Sequence, residues 1–252
     1  MRSFDQMMFL VLIITLPISC LKAPEKVLLV ATAANVQFAM KEVVEAFINH
    51  TGIECQMVTS SSGKIAAQIQ EGAPFDVFLS ADMQYPMEIY EKGFAWNPPT
   101  NYATGTIVFW SVKEKGTLDL NILTDEDIDY IAIANPKIAP YGVAAIETLE
   151  FYHLLDSVKP KLVYGENIAQ VNQFILSGAA YGGFTAKAAV LAPRMAATGS
   201  WKEIDQKAYR PIKQGAVVLK NSRMKKEADV FLDFLGSNEA ISILRKYGYE
   251  IE

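Results

Sequence analysis

Two hydrophobic patterns alternate along the chain from residue 26, and together they predict an α/β fold. The stretch KVLLVATAA (26–34) is continuously apolar and ends in small residues, as is typical of a strand buried on both faces of a parallel sheet. In the following stretch, apolar residues recur with the spacing of one helix face: Val36, Met40, Val43, Val44 and Phe47. Asn35 stands at the predicted N-cap and Gly52 just past the helix end.

The same alternation continues to the end of the chain. Further strands are predicted at 53–58, 76–81, 104–112, 130–134, just before Gly165, up to Phe184, and at 210–219. Further helices are predicted at 62–71, from about Tyr141, at 167–176 and as two closing helices after residue 224. Strands that alternate with helices predict right-handed βαβ crossovers and a parallel sheet.

The strand–helix series restarts near residue 130, which predicts two α/β lobes. We assign 26–112 plus 213–252 to the first lobe and 113–212 to the second, because a late strand returns to the opening series. In such folds ligands bind in the crevice at the carboxyl ends of the strands. A ligand site between the lobes is therefore expected.

Four predicted helix starts share a feature that suggests what the ligand is. Each follows a strand and opens with a short polar residue or a proline turn: Ala33–Asn35, Ser60–Gly63, Pro140–Gly142 and Glu166–Ile168. A helix start exposes unpaired N–H groups and a partial positive charge, so it binds anions without lysine or arginine. Serine and asparagine are also the commonest helix caps, so the pattern alone leaves a purely structural role open.

Composition and charge exclude several classes of function. The 252 residues are 51% hydrophobic and 20% charged, which is ordinary for a globular protein. The net charge is −5 and lysines and arginines do not cluster, which argues against nucleic acid as a partner. Two cysteines, Cys20 and Cys55, give no disulfide framework, and the two histidines have no metal-ligand spacing with them.

The first residues predict export. Arg2 precedes an apolar stretch from Met7 to Leu16, which is shorter than the ~20 residues of a membrane-spanning helix. We therefore predict a signal peptide over 1–22 and an extracytoplasmic mature protein. Cys20 follows the stretch in the position of a lipid-modified cysteine, so a lipid anchor there and plain cleavage near Ala23 both remain open.

Four segments carry a resemblance to a known family. In order along the chain they are ATAANVQFAM, SSSGKIAAQIQEGAPFDVFLSAD, NPKIAPYGVAAIETL and LRKYGYEI. Over nearly the whole mature chain they resemble the solute-binding proteins of bacterial molybdate ABC importers. The second segment is the most specific, because the serine-rich helix start, the GAPFD turn and SAD occur together.

The resemblance implies a type II periplasmic-binding-protein fold, with two α/β lobes joined by a hinge that close on a tetrahedral oxyanion. It also implies four ligand positions in this chain: Asn35, Ser62, Tyr141 and Ile168. Tyr141 would offer its backbone N–H and its phenol, and Ile168 its backbone N–H. Some relatives place a tyrosine in the strand after the fourth helix, where this chain has Thr185. Tyr141 would then take over that role, or the site would be one donor short.

The implied function is capture of molybdate or tungstate, without a cofactor or a cation site, for delivery by a monomer to an ABC permease in the cytoplasmic membrane. A binder of another tetrahedral oxyanion, such as sulfate or phosphate, is the nearest alternative. A Ser-x-x-Lys hydrolase is a weaker one, since Ser61 and Lys64 have that spacing but the companion Ser-Asp-Asn and Lys-Thr-Gly elements are missing. Lys64 is expected to be an exposed helix residue, and Glu166 to turn outward.

Overall fold

The computed structural model describes residues 27–251, so the predicted signal peptide and Cys20 lie outside the described residues. The strands are β1 (Leu28–Ala33), β2 (Cys55–Ser60), β3 (Val77–Ser80), β4 (Thr100–Gly105), β5 (Ile107–Ser111), β6 (Ile131–Ala134), β7 (Leu162–Gly165), β8 (Gly182–Ala186), β9 (Ser200–Glu203) and β10 (Ile212–Val218). The α-helices are α1 (Gln37–Thr51), α2 (Ser62–Gln70), α3 (Gln84–Glu91), α4 (Pro140–Phe151), α5 (Leu155–Val158), α6 (Ile168–Leu176), α7 (Lys187–Leu191), α8 (Lys225–Leu235) and α9 (Asn238–Lys246). Short 3-10 turns lie at Ala34–Val36, Leu120–Thr124, Lys159–Lys161 and Gln206–Ala208.

The strands form two five-stranded sheets, in the orders β2-β1-β3-β10-β4 and β7-β6-β8-β5-β9. Helices α1, α2, α3 and α8 pack on the first sheet, and α4, α6 and α7 on the second. We call the first sheet with its helices lobe 1, and the second sheet with its helices lobe 2. The two α/β lobes predicted from the alternating pattern are confirmed.

The predicted parallel arrangement holds for only part of each sheet. Strand β1 is parallel to β2 and β3, and β6 is parallel to β7 and β8. Strand β10 runs antiparallel to β3 and β4, and β5 runs antiparallel to β8 and β9. Both exceptions are strands through which the chain enters a sheet from the other lobe, so no βαβ crossover sets their direction.

The single strand predicted at 104–112 is wrong, and the lobe boundary at residue 112 is wrong with it. Strand β4 ends at Gly105 in the first sheet, and β5 begins at Ile107 in the second, so the chain crosses at Thr106. The return strand β10 begins at Ile212, one residue before the predicted return at 213. Residues 105–111 are buried on both sides of the crossing, so no exposed residue marks the change of sheet.

Buried aromatic side chains connect the helices and strands within each lobe. Phe47 of α1 contacts Phe231 of α8 edge to face at 5.0 Å between ring centroids, and Phe109 of β5 contacts Phe184 of β8 at 5.2 Å. Gly52 ends α1 with φ of 69°, the left-handed conformation expected of a residue just past a helix. No helix within residues 27–251 is long and apolar enough to cross a bilayer.

The pattern missed four elements: α3, α5, α7 and β9. Helices α5 and α7 have only four and five residues, too few to establish a helical period. Helix α3 contains Pro86 in its first turn, which the sequence alone presents as a break. Strand β9 is an edge strand, with three residues of intermediate exposure and one exposed.

Candidate functional site

Helix starts from both lobes meet at one small cavity between the lobes. The cavity is narrow, with only about 10 Å³ of space that the centre of a water-sized sphere can occupy. Its lining consists of Ala33, Ala34, Asn35, Ser60, Ser61, Ser62, Ala81, Ala139, Pro140, Tyr141, Asn167 and Ile168. All four residues that the sequence analysis assigned to the ligand are among them. The structure therefore brings the four predicted positions together.

The lining offers hydrogen-bond donors but no charged side chain. None of the lining residues named above is an aspartate, glutamate, lysine, arginine or histidine. The N-terminal ends of α2, α4 and α6 and the 3-10 turn before α1 all contribute to it. Helix starts carry a partial positive charge and leave N–H groups without partners inside the helix, so their convergence beside one space favours an anion.

In lobe 2, Tyr141 and Ile168 line the cavity at two helix starts. Pro140 is the first residue of α4 and has no N–H, so Tyr141 supplies the first donor of that helix. Asn167 caps α6 through its side chain, which accepts from the Gln170 N–H at 3.1 Å. This cap fixes the helix start at Ile168 and does not use the Ile168 N–H.

In lobe 1, two neighbouring serines begin α2. The Ser62 hydroxyl accepts from the Ala81 N–H at 3.0 Å, so its own hydrogen is left to donate. Ser61 is the N-cap residue but makes no side-chain cap bond, and its hydroxyl is buried with no hydrogen-bond partner among the described residues. Sequence reasoning missed Ser61 as a ligand position, because Ser61 and Ser62 are both buried and only the missing partner of the Ser61 hydroxyl distinguishes them.

Asn35 differs from its prediction, because it lies inside a 3-10 turn and is not a helix cap. Its amide nitrogen donates to Gln214 Oε1 at 2.8 Å and to Tyr249 Oη at 3.1 Å, which uses both amide hydrogens. Tyr249 in turn donates to the Asn35 carbonyl at 3.0 Å. The amide nitrogen thus ties the C-terminal segment to the helix start, whereas Asn35 Oδ1 is buried with no hydrogen-bond partner among the described residues.

The Tyr141 phenol extends from lobe 2 into lobe 1 and is 1% exposed. Its hydroxyl lies so close to Gly105 that a Cβ on that glycine would be 2.2 Å away. The phenol also lies close to the side chains of Asn35 and Tyr249 in lobe 1. Burial raises the pKa of the phenol well above its usual value of 10, and the hydroxyl has no well-aligned partner within residues 27–251.

Thr185 does not replace the missing donor. It is fully buried in β8, and its hydroxyl donates to Asn172 Oδ1 at 2.5 Å. It is not among the residues that line the cavity. Thr185 joins α6 to the sheet of lobe 2, which is a structural role.

Lys64 and Glu166 are exposed, as expected from the sequence, but they pair with each other. Lys64 Nζ lies 2.5 Å from Glu166 Oε1, and about half of each side chain is exposed. The Ser61 hydroxyl makes no bond to this lysine. The arrangement therefore lacks the contact by which a lysine would take a serine proton.

Comparison with known proteins identifies the family. A family model described as "Bacterial extracellular solute-binding protein" matches residues 28–250. The chain belongs to this family. The family description agrees with the predicted extracytoplasmic location, and it describes binding proteins rather than enzymes.

Comparison with individual proteins describes this relationship in more detail. The chain is 40% identical to the molybdate-binding protein ModA of Rhodobacter capsulatus over 223 residues, covering 88% of this chain and 87% of that protein. It is 36% identical to ModA of Azotobacter vinelandii over 225 residues, covering 88% and 89%. The fold is similar to the solved periplasmic molybdate-binding protein of Azotobacter vinelandii, with a TM-score of 0.84 and 33% identity over 89% of this chain and 99% of that one.

Proposed function

We propose that this protein captures molybdate outside the cytoplasm and delivers it to an ABC importer. The observation that carries the proposal is the convergence of helix starts from both lobes on one cavity lined by donors without charge. The identities to named molybdate-binding proteins support the same ligand. Tungstate has the same charge and nearly the same size, so we expect it to bind as well.

The proposed donors come from both lobes. Lobe 1 contributes the Ser61 and Ser62 hydroxyls and the backbone around Asn35, and lobe 2 contributes the N–H groups of Tyr141 and Ile168. Hydrogen bonds to a charged group contribute roughly 1.5 to 3 kcal/mol each, so five to seven of them can offset the cost of removing a dianion from water.

A cavity without a carboxylate also selects among anions. Molybdate is fully ionised near neutral pH and accepts at every oxygen, whereas hydrogen phosphate carries a proton that needs an acceptor. The lining residues include no carboxylate to accept that proton. The phosphate proton would have to meet a neutral acceptor such as Asn35 Oδ1 or a serine hydroxyl, which makes a weaker bond than a carboxylate, so we expect phosphate to bind less tightly than molybdate.

We further propose that the bound anion holds the lobes together. An anion that accepts from Ser62 on lobe 1 and from Ile168 on lobe 2 bridges the two rigid units. Release of the ligand would let them separate by hinge motion at the crossing segments, and the closed form would be the one that docks on the permease.

A thermal-unfolding scan with different anions tests the proposed function. Molybdate and tungstate are each expected to raise the unfolding midpoint of the mature protein by several degrees at a hundredfold excess over the dissociation constant, because that excess adds about 2.7 kcal/mol. Sulfate and phosphate at the same concentration are the controls. Equal shifts with sulfate would indicate a general oxyanion binder, and no shift with any anion would contradict the proposal.

Replacing Ser62 with alanine tests the site. The variant is expected to bind molybdate more weakly by about 1 to 3 kcal/mol, because it loses a hydroxyl donor to a charged ligand. Titration calorimetry would measure the change. Ser177→Ala is the matched control, since Ser177 is exposed at the far end of α6 and outside the cavity. Equal affinities for the two variants would remove Ser62 from the site.

A further inference from the structure

Three contacts join the lobes beside the cavity. The Gly63 N–H donates to the Ile138 carbonyl at 2.9 Å, and Tyr85 Oη donates to the Lys137 carbonyl at 3.2 Å. The third contact is the ion pair between Lys64 and Glu166, at 2.5 Å. Each contact has one partner on α2 or α3 of lobe 1 and the other on a loop that leads into α4 or α6 of lobe 2.

The two residues of the ion pair lie beside the two halves of the site, one in each lobe. Lys64 lies two residues after Ser62 in the first turn of α2, and Glu166 lies two residues before Ile168. If the lobes separate, Lys64 stays with the serines and Glu166 moves away with α6. The same two residues therefore produce different local charges in the closed and open forms.

A positive charge at Lys64 would help this protein to attract an anion. The chain has a net charge of −5, so its overall field repels a dianion, and the cavity lining itself carries no cation. An unpaired lysine next to Ser61 and Ser62 would raise the local concentration of anions at lobe 1. Pairing with Glu166 removes that net charge when the lobes are together.

We propose that Lys64 and Glu166 form a charge-switching clasp. With the lobes apart, Lys64 attracts the oxyanion to the α2 half of the site. With the lobes together, Glu166 forms an ion pair with Lys64, and this pair slows reopening of the lobes. This inference rests on the proposed function and deepens it, because it assigns the rates of capture and release to two residues that do not contact the ligand.

The two residues have separable effects on the two rates. Charges on the rim of a site act mainly on the association rate and make it depend on salt. An exposed ion pair that exists only in the closed form acts on the dissociation rate, and a pair that is half exposed changes it by a modest factor. Lys64 therefore affects both rates, whereas Glu166 affects release.

Stopped-flow binding of molybdate, followed by intrinsic fluorescence at low and high salt, separates these effects. Lys64→Gln is expected to lower the association rate about threefold at low salt and to reduce its salt dependence. Glu166→Gln should leave the association rate equal or slightly higher. Both variants should release the ligand about two to five times faster, and the double variant no faster than either single one.

Two further variants separate the effect of the ion pair from the effect of the Lys64 charge alone. The charge exchange Lys64→Glu with Glu166→Lys rebuilds the pair in reverse, so it should restore slow release without restoring fast association. Lys92→Gln is the matched control, since Lys92 has similar exposure and contacts Glu88 and Gln70, which both belong to lobe 1, so it does not connect the lobes. Its release rate is expected to equal that of the wild type.

The outcomes distinguish the two proposals. If the wild type binds molybdate but Lys64→Gln and Glu166→Gln release it at the wild-type rate, or if their effects multiply in the double variant, the clasp is wrong and the proposed function stands. An association rate that does not respond to Lys64→Gln at low salt would also overturn the inference. Failure of the wild type to bind molybdate would overturn the proposed function and the clasp together.

Discussion

Gly142→Ala is expected to destabilise the protein by about 3 kcal/mol and to abolish tight binding of the anion. A Cβ at this position would lie 2.1 Å from the Ala134 carbonyl oxygen and 2.9 Å from the Pro136 nitrogen. Both atoms belong to the backbone and cannot rotate away, so the start of α4 would have to move off the end of β6. The Tyr141 N–H would move with it and leave the cavity.

The unfolding midpoint and the molybdate affinity measure the two parts of this result. A loss of about 3 kcal/mol corresponds to a midpoint about 6 to 12 °C lower for a chain of this size. Gly236→Ala is the control, because Gly236 has a negative φ of −85° and the nearest atom to its added Cβ is 3.4 Å away. A Gly142→Ala protein as stable as the control would show that α4 does not need this close approach.

Gly105→Ala is expected to weaken binding of the anion by about 1 to 3 kcal/mol with a smaller effect on folding. The added Cβ would lie 2.2 Å from the Tyr141 hydroxyl and 3.3 Å from the ring carbon that bears it. The phenol would have to withdraw from lobe 1, and Tyr141 would carry its backbone N–H away from the lobe 1 donors. Calorimetric titration with molybdate would measure the loss.

The cause can be isolated with a second substitution. Tyr141→Phe removes the hydroxyl that meets the new Cβ, so the double variant with Gly105→Ala should bind more tightly than Gly105→Ala alone. Tyr141→Phe by itself is expected to change affinity little, since the hydroxyl points toward Gly105 and the proposed donor is the backbone N–H. A double variant that loses affinity additively would show that the phenol is not what Gly105 accommodates.

Several features of the fold could be predicted because their causes are local. The buried strands β1 and β6 read as continuous apolar runs, and α1 shows one apolar face and a glycine past its end. Where a segment was short, as in α5 and α7, or carried a proline in its first turn, as in α3, local pattern was insufficient. The crossing at Thr106 was missed because an apolar run does not indicate which sheet buries it.

The convergence of the four predicted positions on one cavity could be predicted from sequence, whereas the directions of their side chains could not. Asn35, Ser62, Tyr141 and Ile168 all line the cavity, because helix starts after parallel strands face the same crevice. Sequence position does not determine where a side chain points. The Asn35 amide nitrogen donates to Gln214 and Tyr249, which lie 179 and 214 residues away in the chain.

The sequence by itself determined the α/β class, the two series of strands and helices, and the helix starts that carry N–H donors, since each depends on residues near one another in the chain. Only the tertiary structure decided which serine is buried without a partner, that the Tyr141 phenol enters the other lobe, and that Lys64 meets Glu166. These contacts join residues that are far apart in sequence, and their geometry follows from how two separately formed lobes pack, which no local pattern of residues encodes.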